Sequence, residues 1–174
     1  MKRNRTISAI AACLALLAAG IADAAMLEKG DPMPDWNLPD HTGAKLASKD
    51  LAGKSYLLWF YPKAQTPGCT IEGQNFRDQH AAFAAAGVEV LGISFDTPDG
   101  NAAFVKAESF PFRLLSDDGS LAYAVGAAEP GGAKYARRIS YLVGPDGRVR
   151  EAYGTVVPAN HAAQVLGDLA NEGG

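Results

Sequence analysis

The chain alternates between continuous apolar runs and stretches with the apolar spacing of helices. Residues 55–61 and 88–95 are almost entirely apolar, as is typical of strands buried on both faces of a sheet. Between them, residues 69–86 carry apolar side chains at helical spacing, and Gly87 ends this predicted helix. A second helix is predicted over residues 98–109. The first half of the chain is therefore predicted to run strand, helix, strand, helix.

The second half of the chain is predicted to end in a hairpin and a helix. Residues 110–115 predict a short strand, and residues 121–126 a helical turn. Residues 139–143 and 149–153 alternate in polarity on either side of a Pro-Asp-Gly-Arg turn, which predicts two paired strands. Residues 160–170 have the pattern of an amphipathic helix. Together these elements predict one α/β domain with a central mixed β-sheet flanked by helices.

The first 24 residues have the layout of a secretory signal peptide. Residues 2–5 are basic, residues 7–22 form an apolar run, and Ala22-Asp23-Ala24 fits a small-x-small cleavage pattern. A membrane anchor is the first alternative, but the run is shorter than the roughly 20 residues that cross a bilayer. Lipidation at Cys13 is a second alternative, because a lipobox-like segment precedes it. Cleavage after residue 24 is favoured over both.

Cleavage would leave residues 25–174 as an exported, periplasmic domain with a single cysteine, Cys69. The full chain has 174 residues, 48% of them hydrophobic, and two cysteines, which excludes a disulfide-rich scaffold and suggests no zinc module. Its formal net charge of −3 lacks the excess of positive charge that is typical of proteins that bind nucleic acid. One cysteine cannot close an internal disulfide in an oxidising compartment. Cys69 is therefore either inert packing or a group that reacts with a molecule brought to it.

Cys69 lies at the predicted start of the helix that follows the first buried strand. This is the edge of the sheet at which α/β folds place their sites. Pro67-Gly68 would make a tight turn into the helix, so that free backbone N–H groups and the helix dipole favour a thiolate. Thr66 can turn its hydroxyl toward the sulfur or a bound molecule, and Pro62 can exclude water. The alternative is a small buried hydrophobe, but the neighbours of Cys69 in sequence are Gly and Pro rather than an apolar stripe.

These residues resemble a known active-site motif. Pro62-x-x-x-Thr66-x-x-Cys69 is similar to the peroxiredoxin motif, and residues 61–72 resemble its bacterioferritin-comigratory-protein (PrxQ) branch. Residues 112–117 (Phe-Arg-Leu-Leu-Ser-Asp) and 138–143 (Arg-Ile-Ser-Tyr-Leu-Val) resemble two further segments of that branch. The resemblance implies a thioredoxin-like fold and a thiol-dependent peroxidase. Its substrates would be hydrogen peroxide or organic hydroperoxides, and it would need no metal or organic cofactor.

The resemblance also implies a role for each matching residue. Cys69 would be the peroxidatic nucleophile, Thr66 would hydrogen-bond the peroxide, and Pro62 would shield both. Arg138 would hold the thiolate and the peroxide in place, and Glu72 would orient the arginine. Attack on an O–O bond requires a thiolate and donors that stabilise charge on the leaving oxygen. A guanidinium, a hydroxyl and helix-end amides can supply those donors.

The chain departs from many members of this branch at Gln74, where they carry a second, resolving cysteine. The resemblance therefore implies a one-cysteine peroxidase that is reduced by an external thiol: thioredoxin, glutaredoxin or a small thiol. Two alternatives remain open for the function, an exported single-turnover peroxide sensor and a monothiol thioredoxin-like exchange protein. Arg137 is an alternative to Arg138 as the active arginine.

Other partners are predicted from weaker signals. The resemblance favours a monomer, with Trp36, Phe110 or the exposed side of the last helix as faces of a weak homodimer. No nucleic acid is expected as a partner and, after processing, no membrane. The three histidines, which are isolated and lack the spacing of metal ligands, are expected to be solvated or core residues: His41, His80 and His161.

Overall fold

The computed structural model describes residues 25–129 and 132–172, so the predicted signal peptide and Cys13 lie outside the described residues. The strands are β1 (Asn37–Pro39), β2 (Lys45–Ala47), β3 (Ser55–Phe60), β4 (Val88–Ser94), β5 (Arg113–Ser116), β6 (Ile139–Val143) and β7 (Val149–Tyr153). The helices are α1 (Pro67–Asp78), α2 (His80–Ala85), α3 (Pro98–Glu108), α4 (Ser120–Ala124) and α5 (His161–Glu172), and Ser48–Leu51 form a 3-10 turn. In this part of the chain, no helix has the length and apolar character needed to span a membrane.

Five strands form one mixed sheet in the order β5-β4-β3-β6-β7. The pairs β3–β4 and β4–β5 are parallel, whereas β3–β6 and β6–β7 are antiparallel. Parallel neighbours need crossover connections, and the helices α1, α2 and α3 lie in those connections. β1 and β2 form a separate antiparallel pair. The predicted α/β fold with a central mixed sheet is confirmed, and the predicted hairpin coincides with β6 and β7.

The side chains of β3 alternate between two hydrophobic cores, one on each face of the sheet. Leu58 and Phe60 belong to one cluster, and Leu57 and Trp59 belong to the other, and all four are 0% exposed. Burying each side chain stabilises the fold by about 1.5–3 kcal/mol. β3 is therefore held firmly in the core, and the loop that follows it starts from a well-defined position. The second cluster is rich in aromatic rings and includes side chains of α1, α2, α3 and α5.

The helix predicted over residues 69–86 is two helices. α1 begins at Pro67 and ends at Asp78, and Gln79 (φ −104°, ψ 9°) interrupts the helix before α2. Phe76 and Phe83 are nevertheless both buried in the second cluster, as the spacing predicted. The break was not predictable because apolar spacing reports which side chains face the core, not the dihedral angles of one polar residue between them.

Other predictions are corrected by aromatic packing. The strand expected from residue 110 begins at Arg113, because the rings of Phe110 and Phe112 first stack on each other with centroids 5.0 Å apart. Trp36 and Phe110, suggested as faces of a dimer, are each 6% exposed and pack inside the domain. Neither can form such a face. The strand β2 was missed, since three residues carry too little periodicity to predict a strand.

Candidate active site

The loop between β3 and α1 is held by the neighbouring strand and by one carboxylate. The backbone N–H of Tyr61 donates to the carbonyl of Ile93 at 3.0 Å, which continues the pairing beyond the end of β3. The carboxylate of Asp96 accepts from the backbone N–H of Ala64 at 2.8 Å and from Nζ of Lys63 at 3.2 Å. These bonds define where the following helix starts.

α1 begins at Pro67. The N–H of the first helical residue has no partner within the helix, and proline suits this position because it has no N–H. The preceding Thr66 is the extended N-cap residue, and Gln65 before it has a φ of 61°. A non-glycine residue in this left-handed region costs roughly 1–2 kcal/mol, so the loop stores strain close to the cysteine. The hydroxyl of Thr66 donates to the carbonyl of Lys63 at 2.9 Å. Pro62 and Thr66 are both half-buried.

Cys69, the third residue of α1, is a free cysteine and is fully buried. It belongs to the aromatic cluster that contains Trp59, Tyr61 and Phe76, which corrects the expectation that it stands apart from apolar packing. The buried residues of α1 recur at the i, i+3, i+4, i+7 spacing of one helix face: Cys69, Glu72, Gly73 and Phe76. A cysteine and a glutamate on an otherwise apolar face are a signal from which the sequence could have predicted this buried pair.

A guanidinium from a distant strand contacts the sulfur. Arg138 immediately precedes β6, and its Nη2 donates to Sγ of Cys69 at 3.3 Å. Burial alone would lower the pKa of Arg138, but the charges of Glu72 and Cys69 outweigh it and raise the pKa above its ordinary value. Arg137 points elsewhere, because its Nη1 donates to the carbonyl of Gly126 at 3.0 Å. The structure therefore brings Arg138, and not Arg137, to the cysteine.

Sheet register explains this approach. β3 and β6 are antiparallel with Phe60 opposite Ile139, so Arg138 lies beside the loop that follows β3. Gly68 leaves room for the guanidinium, since a Cβ added there would lie 3.1 Å from Nη2 of Arg138. A larger residue at this position would compete with the arginine for the same space.

Glu72 joins the arginine to a histidine. Its Oε2 accepts a hydrogen bond from Nη1 of Arg138, and its Oε1 lies 2.7 Å from Nδ1 of His161. Glu72 and His161 are both 0% exposed. His161 is the core histidine that was expected, but it is not isolated, and the sequence carried no local signal for the contact because 89 positions separate the two residues. The result is a chain of contacts from Cys69 through Arg138 and Glu72 to His161.

The position of the missing second cysteine carries a different contact. Nε2 of Gln74 donates to Oε2 of Glu108 at 2.8 Å, which links α1 to α3. Within residues 25–129 and 132–172, no group of three or more His, Cys, Asp and Glu side chains is arranged to hold a metal ion.

Comparison with known proteins identifies the family to which the chain belongs. The sequence model of the AhpC/TSA family matches residues 29–152. Peroxiredoxin Bcp of Escherichia coli (strain K12) is 37% identical over 146 residues, which cover 80% of this chain and 94% of that protein. Peroxiredoxin bcp1 of Schizosaccharomyces pombe is 44% identical over 113 residues, which cover 64% of this chain and only 58% of that protein. The crystal structure of a cysteine-to-serine mutant of Xylella fastidiosa PrxQ has a TM-score of 0.79 at 28% identity, covering 86% of this chain and 99% of that one.

The chain belongs to the AhpC/TSA family, and its peroxiredoxin relatives make it a thiol-dependent peroxidase. Its relatives and structural neighbours are peroxiredoxins of the Bcp and PrxQ type. The protein is therefore a peroxiredoxin of that branch, as the motifs predicted.

Proposed function

We propose that this peroxiredoxin reduces hydrogen peroxide and organic hydroperoxides with a single peroxidatic cysteine, Cys69, which an external thiol restores. The observation that carries the proposal is the 3.3 Å contact between Nη2 of Arg138 and Sγ of Cys69. A guanidinium this close favours the thiolate, which is the nucleophilic form of cysteine. The absence of a second cysteine from residues 25–174 supports the one-cysteine mechanism.

In the first step, the thiolate sulfur of Cys69 attacks one peroxide oxygen. The S–O bond forms as the O–O bond breaks, and the leaving hydroxide or alkoxide takes up a proton and departs as water or an alcohol. Arg138 stabilises the charge that develops on the leaving oxygen. The hydroxyl of Thr66 rotates away from the carbonyl of Lys63 to donate to the peroxide, and Pro62 limits the access of water.

In the second step, the sulfenic acid of Cys69 condenses with an external thiol, which releases water and forms a mixed disulfide. A second thiol then attacks this disulfide and releases the Cys69 thiolate, so the two electrons come from the thiol pair. Thioredoxin, glutaredoxin or a small thiol can serve. Because Cys69 is 0% exposed, the loop or the first turn of α1 must open locally for the peroxide to reach the sulfur in the first step, and further for the bulkier thiol in the second. Glu72 keeps Arg138 oriented throughout the cycle.

Mass spectrometry and steady-state kinetics test this function. One equivalent of peroxide should add about 16 Da, the mass of one oxygen, or give a thiol adduct, and it should form no intramolecular disulfide. The Cys69→Ser variant, confirmed as folded by circular dichroism, should consume no peroxide. An unmodified mass for the folded wild-type protein would contradict the assignment. Repeated turnover with dithiothreitol, glutathione, thioredoxin or glutaredoxin supports an enzyme, whereas a single stoichiometric burst supports the sensor alternative.

We also propose that the protein is exported to the periplasm, with cleavage near Ala24, and works there as a monomer or weak homodimer. The support for export is the basic, apolar and small-x-small layout of residues 2–24. Expression of the full chain in a bacterium with a periplasm, followed by fractionation, should yield a protein that begins at Ala25. Recovery from the cytoplasm with an intact first residue would contradict export, and a membrane-bound, lipid-modified Cys13 would favour the lipoprotein alternative. Sedimentation of the processed protein measures its oligomeric state.

A further inference from the structure

We propose that His161 is a positioning residue of the peroxidase. By donating a hydrogen bond to Glu72, it holds the carboxylate that in turn holds Arg138 against Cys69. The inference rests on the proposed function, because it assigns His161 a task in the reaction of Cys69. It extends the site to α5, an element that contributes none of the motif residues.

The first argument is the geometry of the carboxylate. An ionised carboxylate only accepts hydrogen bonds, so Nδ1 of His161, 2.7 Å from Oε1 of Glu72, must be the donor. The other oxygen, Oε2, accepts from Nη1 of Arg138. Two donors on two oxygens define both the position of the carboxylate and the rotation of its plane. With the arginine as its one remaining donor, Glu72 could rotate, and the guanidinium would rotate with it.

The second argument is the way in which the imidazole itself is held. His161 is the first residue of α5. Its ring packs edge-on against the rings of Phe76 and Tyr153, with ring centroids 5.2 Å and 5.3 Å apart, respectively. Among the described residues, its Nε2 has no hydrogen-bond partner. A proton on this nitrogen would be a buried, unsatisfied donor, so the Nδ1–H tautomer is the one that fits. The aromatic surroundings alone would suit phenylalanine better, which indicates a function for the polar contact.

Four variants test the proposal. His161→Asn places an amide nitrogen near the position of Nδ1, and His161→Gln places one near the position of Nε2. His161→Phe keeps an aromatic ring without a donor. His80→Phe is the matched control, because His80 is half-buried at the start of α2 against Phe112 and outside the contact chain. Circular dichroism and thermal unfolding verify the fold of each variant.

Two measurements distinguish positioning from packing. Stopped-flow kinetics give the second-order rate constant with hydrogen peroxide, and the pH dependence of alkylation by iodoacetamide gives the pH midpoint at which the Cys69 thiol ionises. We expect His161→Phe and His161→Gln to lower the rate constant roughly tenfold or more, the worth of one hydrogen bond to a buried charge, and to raise the pH midpoint. His161→Asn should restore the rate to within about threefold of wild type, and His80→Phe should change neither quantity.

Three results would overturn the proposal. If folded His161→Phe keeps the rate constant and the pH midpoint of the wild type, the histidine positions nothing. If the asparagine and glutamine variants lose the same activity, its role is packing. Nitrogen NMR of the wild-type protein adds a test that needs no variant, since an Nε2–H tautomer refutes the proposal even where a variant fails to fold. A wild-type protein whose Cys69 does not react with peroxide would refute the proposed function instead, and the alkylation and NMR measurements would still report on His161.

Discussion

Replacing Gly68 with alanine is expected to slow the peroxide reaction without unfolding the protein. Gly68 is the second residue of α1 and does not have the positive φ that would exclude alanine. The added Cβ would lie 3.1 Å from Nη2 of Arg138 and 3.9 Å from Cγ of Pro158. Ordinary contacts begin at 3.4 Å, so the guanidinium would have to retreat by about 0.3 Å to restore normal van der Waals separation.

The size of the effect follows from the distance between the guanidinium and the sulfur. If the whole retreat lengthens the contact between Nη2 and Sγ, from 3.3 Å to about 3.6 Å, the attraction between Arg138 and the Cys69 thiolate weakens by at most about 0.4 kcal/mol at an effective dielectric constant of about 20. The same loss of attraction moves the pH profile of Cys69 alkylation toward higher pH. Because the donor also moves away from the leaving oxygen, we expect the rate constant with peroxide to fall about two- to fivefold. A glycine-to-alanine change at a compatible site gains about 0.4–1 kcal/mol through the unfolded state, so the melting temperature should stay the same or rise by up to about 4 °C.

Stopped-flow kinetics, alkylation by iodoacetamide and thermal unfolding measure these three quantities. Gly100→Ala is the matched control, because Gly100 lies in the first turn of α3 and an added Cβ would make ordinary contacts of 3.5 Å and 3.6 Å. The reasoning is refuted if Gly68→Ala reacts as fast as wild type with the same pH midpoint. It is equally refuted if Gly100→Ala loses as much activity as Gly68→Ala.

Three further changes test the packing, capping and electrostatics of the domain. Gly73→Ala should lower the free energy of unfolding by about 1–3 kcal/mol in urea denaturation, since its Cβ would lie 2.4 Å from Cζ of Phe110, and an unchanged midpoint would contradict that contact. Thr97→Ala removes the hydroxyl that accepts the N-cap hydrogen bond of α3 and should cost about 1 kcal/mol, whereas Thr97→Ser should cost much less. Burial raises the pKa of Asp40, but hydrogen bonds from Thr42 outweigh it and hold the pKa below the ordinary 3.8. The ionised carboxylate therefore stabilises the fold above pH 3.8, and this contribution is lost as the pH falls through the lower pKa of the folded protein. Asp40→Asn should make the free energy of unfolding, measured by urea denaturation at a series of acidic pH values, fall less steeply as the pH is lowered.

The part of the site that is local in sequence could be predicted, and the part assembled by the sheet could not. Pro62, Thr66 and Cys69 lie within one loop and the first turn of one helix, so their proximity follows from chain connectivity. The resemblance implied Arg138 with Arg137 as the alternative, and only the pairing of β6 with β3 distinguished the two. His161 had no signal at all, because nothing in a sequence states which residue of α5 will face Glu72.

The sequence by itself determined which segments become buried strands and helices, because burial of apolar side chains depends on spacing that can be counted along the chain. It also determined that the cysteine opens a helix after the central strand. Only the tertiary structure decided that Cys69 is fully buried and that the guanidinium of Arg138 contacts its sulfur. The register of β3 with β6, with Phe60 opposite Ile139, brings Arg138 to the sulfur. The packing of α5 against α1 brings His161 to the buried carboxylate. Both contacts join residues far apart in sequence, so they depend on how the strands and helices pack rather than on any local pattern.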